Sequence, residues 1–113
     1  MKESPLAEKR CIPCEDGAEA LLPHEAEAMH AKIDPEWMLI DDAHILARQF
    51  TFKDFKDALA FVNKVGAIAE TEQHHPDITL GWGSVGVELS THAISGLSEN
   101  DFILASKVDQ IKL

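Results

Sequence analysis

Cysteine, positive charge and long apolar runs are all scarce in this chain. Two cysteines in 113 residues cannot define the disulfide framework of a small secreted protein. No stretch approaches the length that crosses a bilayer, and residues 1–6 lack the apolar segment of a signal peptide. We therefore expect a cytosolic protein.

The charge balance argues against a further class of ligand. Lys and Arg number 10 against 20 Asp and Glu, so the formal net charge is −10. A surface with that charge repels phosphate backbones and anionic lipid. We therefore expect neither nucleic acid nor a membrane to be a direct ligand.

The first 20 residues form a polar leader that we expect to be mobile. The leader contains Cys11 and Cys14, at the spacing of half a zinc knuckle or of a redox pair. The sequence has no second cysteine pair, and a redox pair is expected between a strand and a helix. His24 and His30 could complete a zinc site, but we predict a reduced pair with no metal.

Residues 21–113 are predicted to form one domain, since a chain of this length can bury about two thirds of its unfolded surface. Along this domain, the spacing of the apolar residues alternates between the two-residue repeat of a strand and the 3.6-residue repeat of a helix. In the last helix, Ser98 and Asp101 have the spacing of a capping box. The predicted elements are a helix over 22–33, strands over 37–40 and 45–52, a helix from 54 to about 75, strands over 78–82 and 85–91, and a helix from about 98.

This order has no βαβ rhythm and predicts an α+β fold, a four-stranded antiparallel sheet with helices packed on one face. Too few residues remain to cover the second face of the sheet, so we expect a homodimer or homotetramer. Strand alternation directs Val85, Val87 and Leu89 to the core. In the long helix, the apolar residues expected to face the core are Phe55, Leu59, Val62, Val65 and Ala69.

The most informative segment is 70–76, which contains a His-His-Pro sequence. A proline pushes the preceding residue out of the α region, so the long helix should end near His75. His74 and His75 then lie in its last turn, where Glu70 can accept a hydrogen bond from His74. Imidazole titrates near neutral pH, so the segment predicts a proton-transfer site. The alternative is that the histidines only cap the helix end.

His92 favours the proton-transfer site over the capping alternative. It has the same strand parity as Glu88 and Ser90, opposite to that of the core residues. If the alternation holds to the end of the strand, His92 lies at a rim or on a polar face, where a substrate can reach it. A third histidine then joins the candidate site.

These residues resemble the pterin-4a-carbinolamine dehydratase family, also known as the dimerization cofactor of a homeodomain transcription factor. The resemblance extends from near Leu21 to the C-terminus and includes the runs 50–55, 89–92 and 96–101. The positions that match the family's motif are Glu70, His74, His75, Pro76, Trp82, His92 and Asp101.

The resemblance implies a hydro-lyase that removes water from a 4a-hydroxytetrahydropterin to give a quinonoid dihydropterin in tetrahydrobiopterin recycling. It implies no cofactor and no metal, because the reaction needs only a proton delivered to the departing oxygen and another removed from the neighbouring ring nitrogen. His74 and His92 become the candidate acid and base, in an order that stays open. His75 is a further catalytic candidate that orients the substrate and can share the protonation work, and Glu70 orients His74. An aromatic amino acid hydroxylase is the implied protein partner.

The pterin cleft of the family can be carried over residue by residue. Gln73 occupies a position that is often Asp in animal members, so a neutral contact replaces a carboxylate there. Trp82 stands where Tyr is frequent and is interpreted as a core or hairpin aromatic. Asp101 is interpreted as a supporting residue that caps a helix. The binding candidates are Gln73, His74, His75, Ser90, Thr91, His92 and Ala93.

Two other functions remain open. Animal members of the family also act as transcriptional coactivators through oligomer exchange, so a non-catalytic oligomeric adaptor is one alternative. The other is action on a different pterin, such as an intermediate of the molybdopterin pathway, with the same three histidines. Only tests with defined substrates separate these alternatives from the dehydratase.

Overall fold

The computed structural model describes residues 8, 9, 11 and 19–111, and of His92 only the backbone. Cys14 lies outside the described residues, so the metal-free, reduced cysteine pair stays a prediction. Within the described ranges, no helix is both long and apolar enough to cross a bilayer. The elements are α1 (Pro23–His30), β1 (Met38–Ile40), β2 (Ile45–Thr51), α2 (Phe55–Glu72), β3 (Asp77–Leu80), β4 (Ser84–Leu89), a 3₁₀ turn (His92–Ile94) and α3 (Glu99–Val108).

The four strands form one antiparallel sheet in the order β1-β2-β4-β3, which confirms the predicted α+β fold. In the central pair, Leu46 of β2 lies opposite Leu89 of β4. At the edge, Asp77 of β3 lies opposite Glu88 of β4. The start of β3 and the end of β4 therefore meet at the same end of the sheet.

The expected homodimer or homotetramer stays a prediction.

Strand alternation sets the buried face of the sheet as the sequence predicts. Val85, Val87 and Leu89 are buried and pack in one cluster with Leu46 and Phe50 of β2. Full burial of a side chain of this size contributes about 1.5–3 kcal/mol to folding. This cluster supplies a rigid platform from which the ends of β3 and β4 project.

The buried face of the long helix α2 overlaps the predicted one in part. Val65 and Ala69 are buried and Val62 packs against the core, as predicted. Phe55 and Leu59 are 44% and 40% exposed, although their spacing predicts them in the core. The helix carries apolar residues on more than one face, and the buried face is the one on which Phe61 meets Phe50, with ring centres 4.6 Å apart. The buried residues of α2 are Ala58, Phe61, Val65, Ala69 and Glu72.

One charged cluster lies on the core face of the sheet. Arg48 of β2 contacts Asp109 (3.0 Å) and Asp34 (3.4 Å), and its guanidinium lies 4.5 Å from the ring centre of Phe50. Asp109 also accepts a hydrogen bond from the indole N–H of the buried Trp37 (2.9 Å). Arg48 stands at a position of β2 that faces the core, and these contacts pair its charge there. They also attach the end of α3 to β2.

The Asp109 carboxyl predicts a pH dependence of stability. Burial raises its pKa from 3.8 to about 6, outweighing the lowering effects of the Trp37 hydrogen bond and the Arg48 charge. The folded chain then binds this proton more tightly than the unfolded chain, so the stabilisation is complete below pH 3.8 and is lost as the pH rises through about 6. Relative to Asp109→Asn, the wild-type free energy of unfolding should fall by on the order of 2–3 kcal/mol between about pH 4 and 7. Urea unfolding across this range measures the difference, and a constant difference would contradict the prediction.

Candidate active site

Helix α2 ends before the histidine pair rather than at it. Gln73 adopts the left-handed conformation (φ 56°). Its N–H donates to the Glu70 carbonyl (3.4 Å), and the His74 N–H donates to the Ala69 carbonyl (3.2 Å). This pair of bonds is a Schellman motif, which closes the helix ahead of the proline. The prediction that His74 and His75 lie in the last helical turn is therefore wrong.

The ring of His74 is directed toward α3. Its Nε2 lies 2.6 Å from Oδ1 of Asp101, which belongs to the first turn of α3. The His74 side chain is 12% exposed and that of Asp101 is fully buried. This corrects the prediction that Glu70 orients His74. The chain leaves the helix at Gln73, so the spacing of four residues between Glu70 and His74 no longer places them on one helical face.

The second oxygen of Asp101 is occupied by two donors. Oδ2 accepts hydrogen bonds from the Thr91 hydroxyl (2.7 Å) and from the Ser98 N–H (3.0 Å), and the latter contact confirms the predicted cap by Asp101. Ser98 Oγ lies 2.8 Å from Thr91 Oγ1. Because Thr91 gives its only hydroxyl proton to Asp101, Ser98 is the donor in that pair. A chain of hydrogen bonds thus fixes the carboxylate.

This fixed carboxylate determines the tautomer of His74. A carboxylate only accepts hydrogen bonds, so the short contact to Oδ1 requires a proton on Nε2 of His74. In the neutral ring, Nδ1 is then the acceptor nitrogen. The sequence predicts Asp101 only as a cap, and its place in the family motif is the one signal that it does more.

His75 makes a separate and more exposed pair. Its Nε2 lies 2.5 Å from Oε2 of Glu70, and the two side chains are 56% and 72% exposed. Gln73 donates from its side-chain amide to the Glu70 backbone carbonyl (2.7 Å). Exposed ion pairs contribute little to stability. Glu70 can orient His75 through this contact. Because the pair is exposed, Glu70 holds the His75 ring far less firmly than Asp101 holds the His74 ring.

The sheet register brings the two halves of the predicted site to one end. Asp77 opens β3 opposite Glu88, near the end of β4. The residues just before β3 and those just after β4 therefore leave the sheet side by side. These are His74 and His75 on one side and the segment 90–93 on the other.

Thr91 connects the two halves. It is buried, and its hydroxyl bond to Asp101 places the end of β4 beside the partner of His74. Its N–H donates to the Gly96 carbonyl (2.7 Å) and closes the turn that carries His92 and Ala93. The side chain of His92 lies outside the described part of the structure. The convergence of three imidazole rings therefore stays a prediction.

Trp82 lies outside this end of the molecule. It stands in the turn between β3 and β4, at the opposite end of β4 from Leu89, and is 70% exposed. A strand of this length spans about 20 Å. Of the two predicted positions, the hairpin is confirmed and the core is wrong. Within the described residues, no hydrogen bond or ring contact joins Trp82 to the site.

Comparison with known proteins assigns the chain to a family. The profile of the family described as Pterin 4 alpha carbinolamine dehydratase matches residues 19–111. The chain belongs to this family. A protein of Halorhodospira halophila, provisionally named pterin-4-alpha-carbinolamine dehydratase, is 50% identical over 106 residues, or 94% of this chain and 96% of the relative. That match extends well into the leader, ahead of residue 19.

Two solved structures share the fold of this chain. The transcriptional coactivator/pterin dehydratase from Brucella melitensis has a TM-score of 0.74 and 31% identity, over 80% of this chain and 96% of the other. A pterin dehydratase-like protein described as a RuBisCO assembly factor in the α-carboxysome has a TM-score of 0.57 and 25% identity, over 66% and 86%. The family resemblance predicted from the sequence is confirmed.

Proposed function

We propose that this protein is a cytoplasmic 4a-hydroxytetrahydropterin dehydratase that works by histidine acid–base catalysis. It removes water to give a quinonoid dihydropterin in tetrahydrobiopterin recycling. The observation that carries the proposal is the 2.6 Å contact between His74 and the buried Asp101. A buried carboxylate that fixes the tautomer of an imidazole is typical of a proton-transfer group. Membership of the family supports the substrate class.

The reaction needs two proton transfers, and the contacts favour one assignment of roles. The C–O bond at the 4a carbon breaks as its oxygen receives a proton, and the neighbouring ring nitrogen loses one. His74 is assigned as the base, because Asp101 keeps the proton on Nε2 and stabilises the imidazolium that forms. His92 is assigned as the acid, and His75, paired with Glu70, orients the pterin. Each transfer is typically worth ~10²- to 10⁴-fold in rate.

The pterin is proposed to bind between the helix end and the turn after β4. Gln73, Ser90 and the backbone of Ala93 offer amide and hydroxyl groups that suit the amide edge of a pterin. The Thr91 hydroxyl is already engaged between Ser98 and Asp101. Thr91 is therefore assigned to hold the catalytic pair in place and not to contact the substrate through its side chain.

The test is a stopped-flow assay of 4a-hydroxytetrahydropterin dehydration. The wild type should accelerate the reaction well above the rate in buffer, and His92→Ala should lower kcat while remaining folded. The pH profile of kcat should show at least one limb between about pH 5 and 8, where imidazole titrates. If the wild type leaves the rate in buffer unchanged, the proposed activity is wrong.

A non-catalytic adaptor is the second candidate. The names of the two solved structures, a transcriptional coactivator/pterin dehydratase and a RuBisCO assembly factor, support it. An adaptor has no need of a histidine that is polarised by a carboxylate. If the protein is an adaptor, the wild type and His92→Ala should both leave the dehydration rate in buffer unchanged. The other alternative is that the substrate is an intermediate of the molybdopterin pathway. The same assay, repeated with a molybdopterin-type pterin, tests it.

A further inference from the structure

A second buried carboxylate lies next to the candidate site and takes no part in the chemistry above. Glu72 is in the last turn of α2, two residues before His74, and its side chain is only 5% exposed. Burying a carboxylate is costly unless it is paired or hydrogen-bonded. Its partners therefore identify what the protein gains from placing it there.

Glu72 joins three parts of the chain. Its Oε1 accepts a hydrogen bond from the backbone N–H of Cys11 in the leader (2.9 Å). Its Oε2 lies 3.7 Å from Nζ of Lys107 in α3, a side chain that is itself mostly buried. The carboxylate thus ties both the leader and α3 to the end of α2.

The leader also contacts the first turn of α3 directly. Cys11 donates from Sγ to the Asn100 carbonyl (3.6 Å), and Lys9 pairs with Glu99 (2.7 Å). Asn100 is buried and immediately precedes Asp101. The described leader residues therefore span two helix ends, the start of α3 that carries Asp101 and the end of α2 that leads into His74.

We propose that Glu72 is a positioning residue for the dehydration. By anchoring the leader across the ends of α2 and α3, it fixes the separation of the His74 ring and the Asp101 carboxylate. The proposal rests on the proposed function, since the pair is the group that Glu72 positions. It also makes the leader part of the working enzyme. A misplacement of about 1 Å at such a pair can lower a rate by about 10²-fold.

Two substitutions of different severity test the proposal in the full-length protein. Glu72→Leu removes both described contacts, and kcat should fall by about tenfold or more while KM changes by less than about threefold. Glu72→Gln keeps an acceptor for the Cys11 N–H but loses the charge facing Lys107, and its kcat should fall by about threefold or more. Glu88→Gln makes the same charge change on the exposed face of the sheet and should leave kcat unchanged.

A readout without substrate separates positioning from folding. The proton on Nε2 of His74 should give a downfield NMR resonance because it is hydrogen-bonded to a carboxylate. In Glu72→Leu that resonance should broaden or move upfield, while thermal unfolding shows a folded protein. If Glu72→Leu does not fold, the kcat and the resonance of Glu72→Gln decide in its place.

The outcomes distinguish this proposal from the function on which it rests. A wild type without dehydratase activity would overturn the function, and the NMR comparison would still test whether Glu72 holds the pair together. An active wild type whose folded Glu72 variants keep both kcat and the His74 resonance would overturn the positioning role alone. Loss of activity in Glu88→Gln, equal to that in Glu72→Gln, would also overturn it, because the effect would then follow net charge.

Discussion

Replacing Asp101 by asparagine is expected to lower kcat for dehydration by about 10²- to 10⁴-fold while the protein stays folded. An amide has one oxygen, and two donors, the Thr91 hydroxyl and the Ser98 N–H, converge where Oδ2 lies. The amide oxygen should take that position and turn the NH₂ group toward His74. The ring must then accept at Nε2 and carry its proton on Nδ1, so the proposed base loses its acceptor nitrogen.

Stopped-flow kcat and KM at pH 7, with thermal unfolding of each variant, measure this effect. The stability loss should not exceed about 1–2 kcal/mol, because the amide oxygen still caps Ser98 N–H. Thr91→Val removes one donor and leaves the bond to His74, so its kcat should fall less than that of Asp101→Asn. Thr91→Ser, which keeps the hydroxyl, is the matched control. A folded Asp101→Asn variant with full kcat would show that the tautomer of His74 has no importance for the reaction.

The sheet could be predicted because its signals are local. Alternation along β4 directs Val85 and Leu89 to one face, and burial of that face stabilises the same register. The start of the long helix was predictable, but its end and part of its buried face were not. Phe55 and Leu59 satisfy the same 3.6-residue spacing as the buried residues of the helix. Only the packing of Phe61 against Phe50 of β2 selects the buried face.

The partners of the two adjacent histidines could not be predicted from their spacing. The identity of the partner depends on one backbone conformation, the positive φ of Gln73, which turns the chain out of the helix before His74. After that turn, His74 meets a residue 27 positions away and His75 takes the nearby Glu70. Helical spacing cannot predict a contact that forms only when the helix ends.

Long-range contacts of the leader were equally beyond the sequence pattern. Cys11 has the spacing to Cys14 that suggests metal or redox chemistry, yet its described contacts are a backbone bond to Glu72 and a thiol bond to a carbonyl of α3. Nothing in the periodicity relates Cys11 to a residue 61 positions away. The contacts follow from the packing of α2 on α3, which brings the two helix ends together.

The two adjacent histidines are expected to control different kinetic constants. His74→Ala should lower kcat by about 10²- to 10⁴-fold with little change in KM, because it removes the group that transfers a proton. His75→Ala should raise KM by roughly three- to tenfold and change kcat by less than about threefold, because loss of a contact made equally in ground and transition states affects binding alone. Their surroundings support this difference, since the His74 ring is largely buried against Asp101 whereas His75 pairs with Glu70 in solvent.

Glu70→Gln separates the two assignments further. It removes the charge that faces His75 and leaves the contact between His74 and Asp101 intact, so it should reproduce the KM effect of His75→Ala in weaker form. Steady-state kinetics for the three variants, with unfolding curves to confirm that each is folded, decide between the roles. Equal losses of kcat in His74→Ala and His75→Ala would contradict the division of roles. A kcat for Glu70→Gln as low as that of His74→Ala would place the carboxylate that matters at Glu70 instead of Asp101.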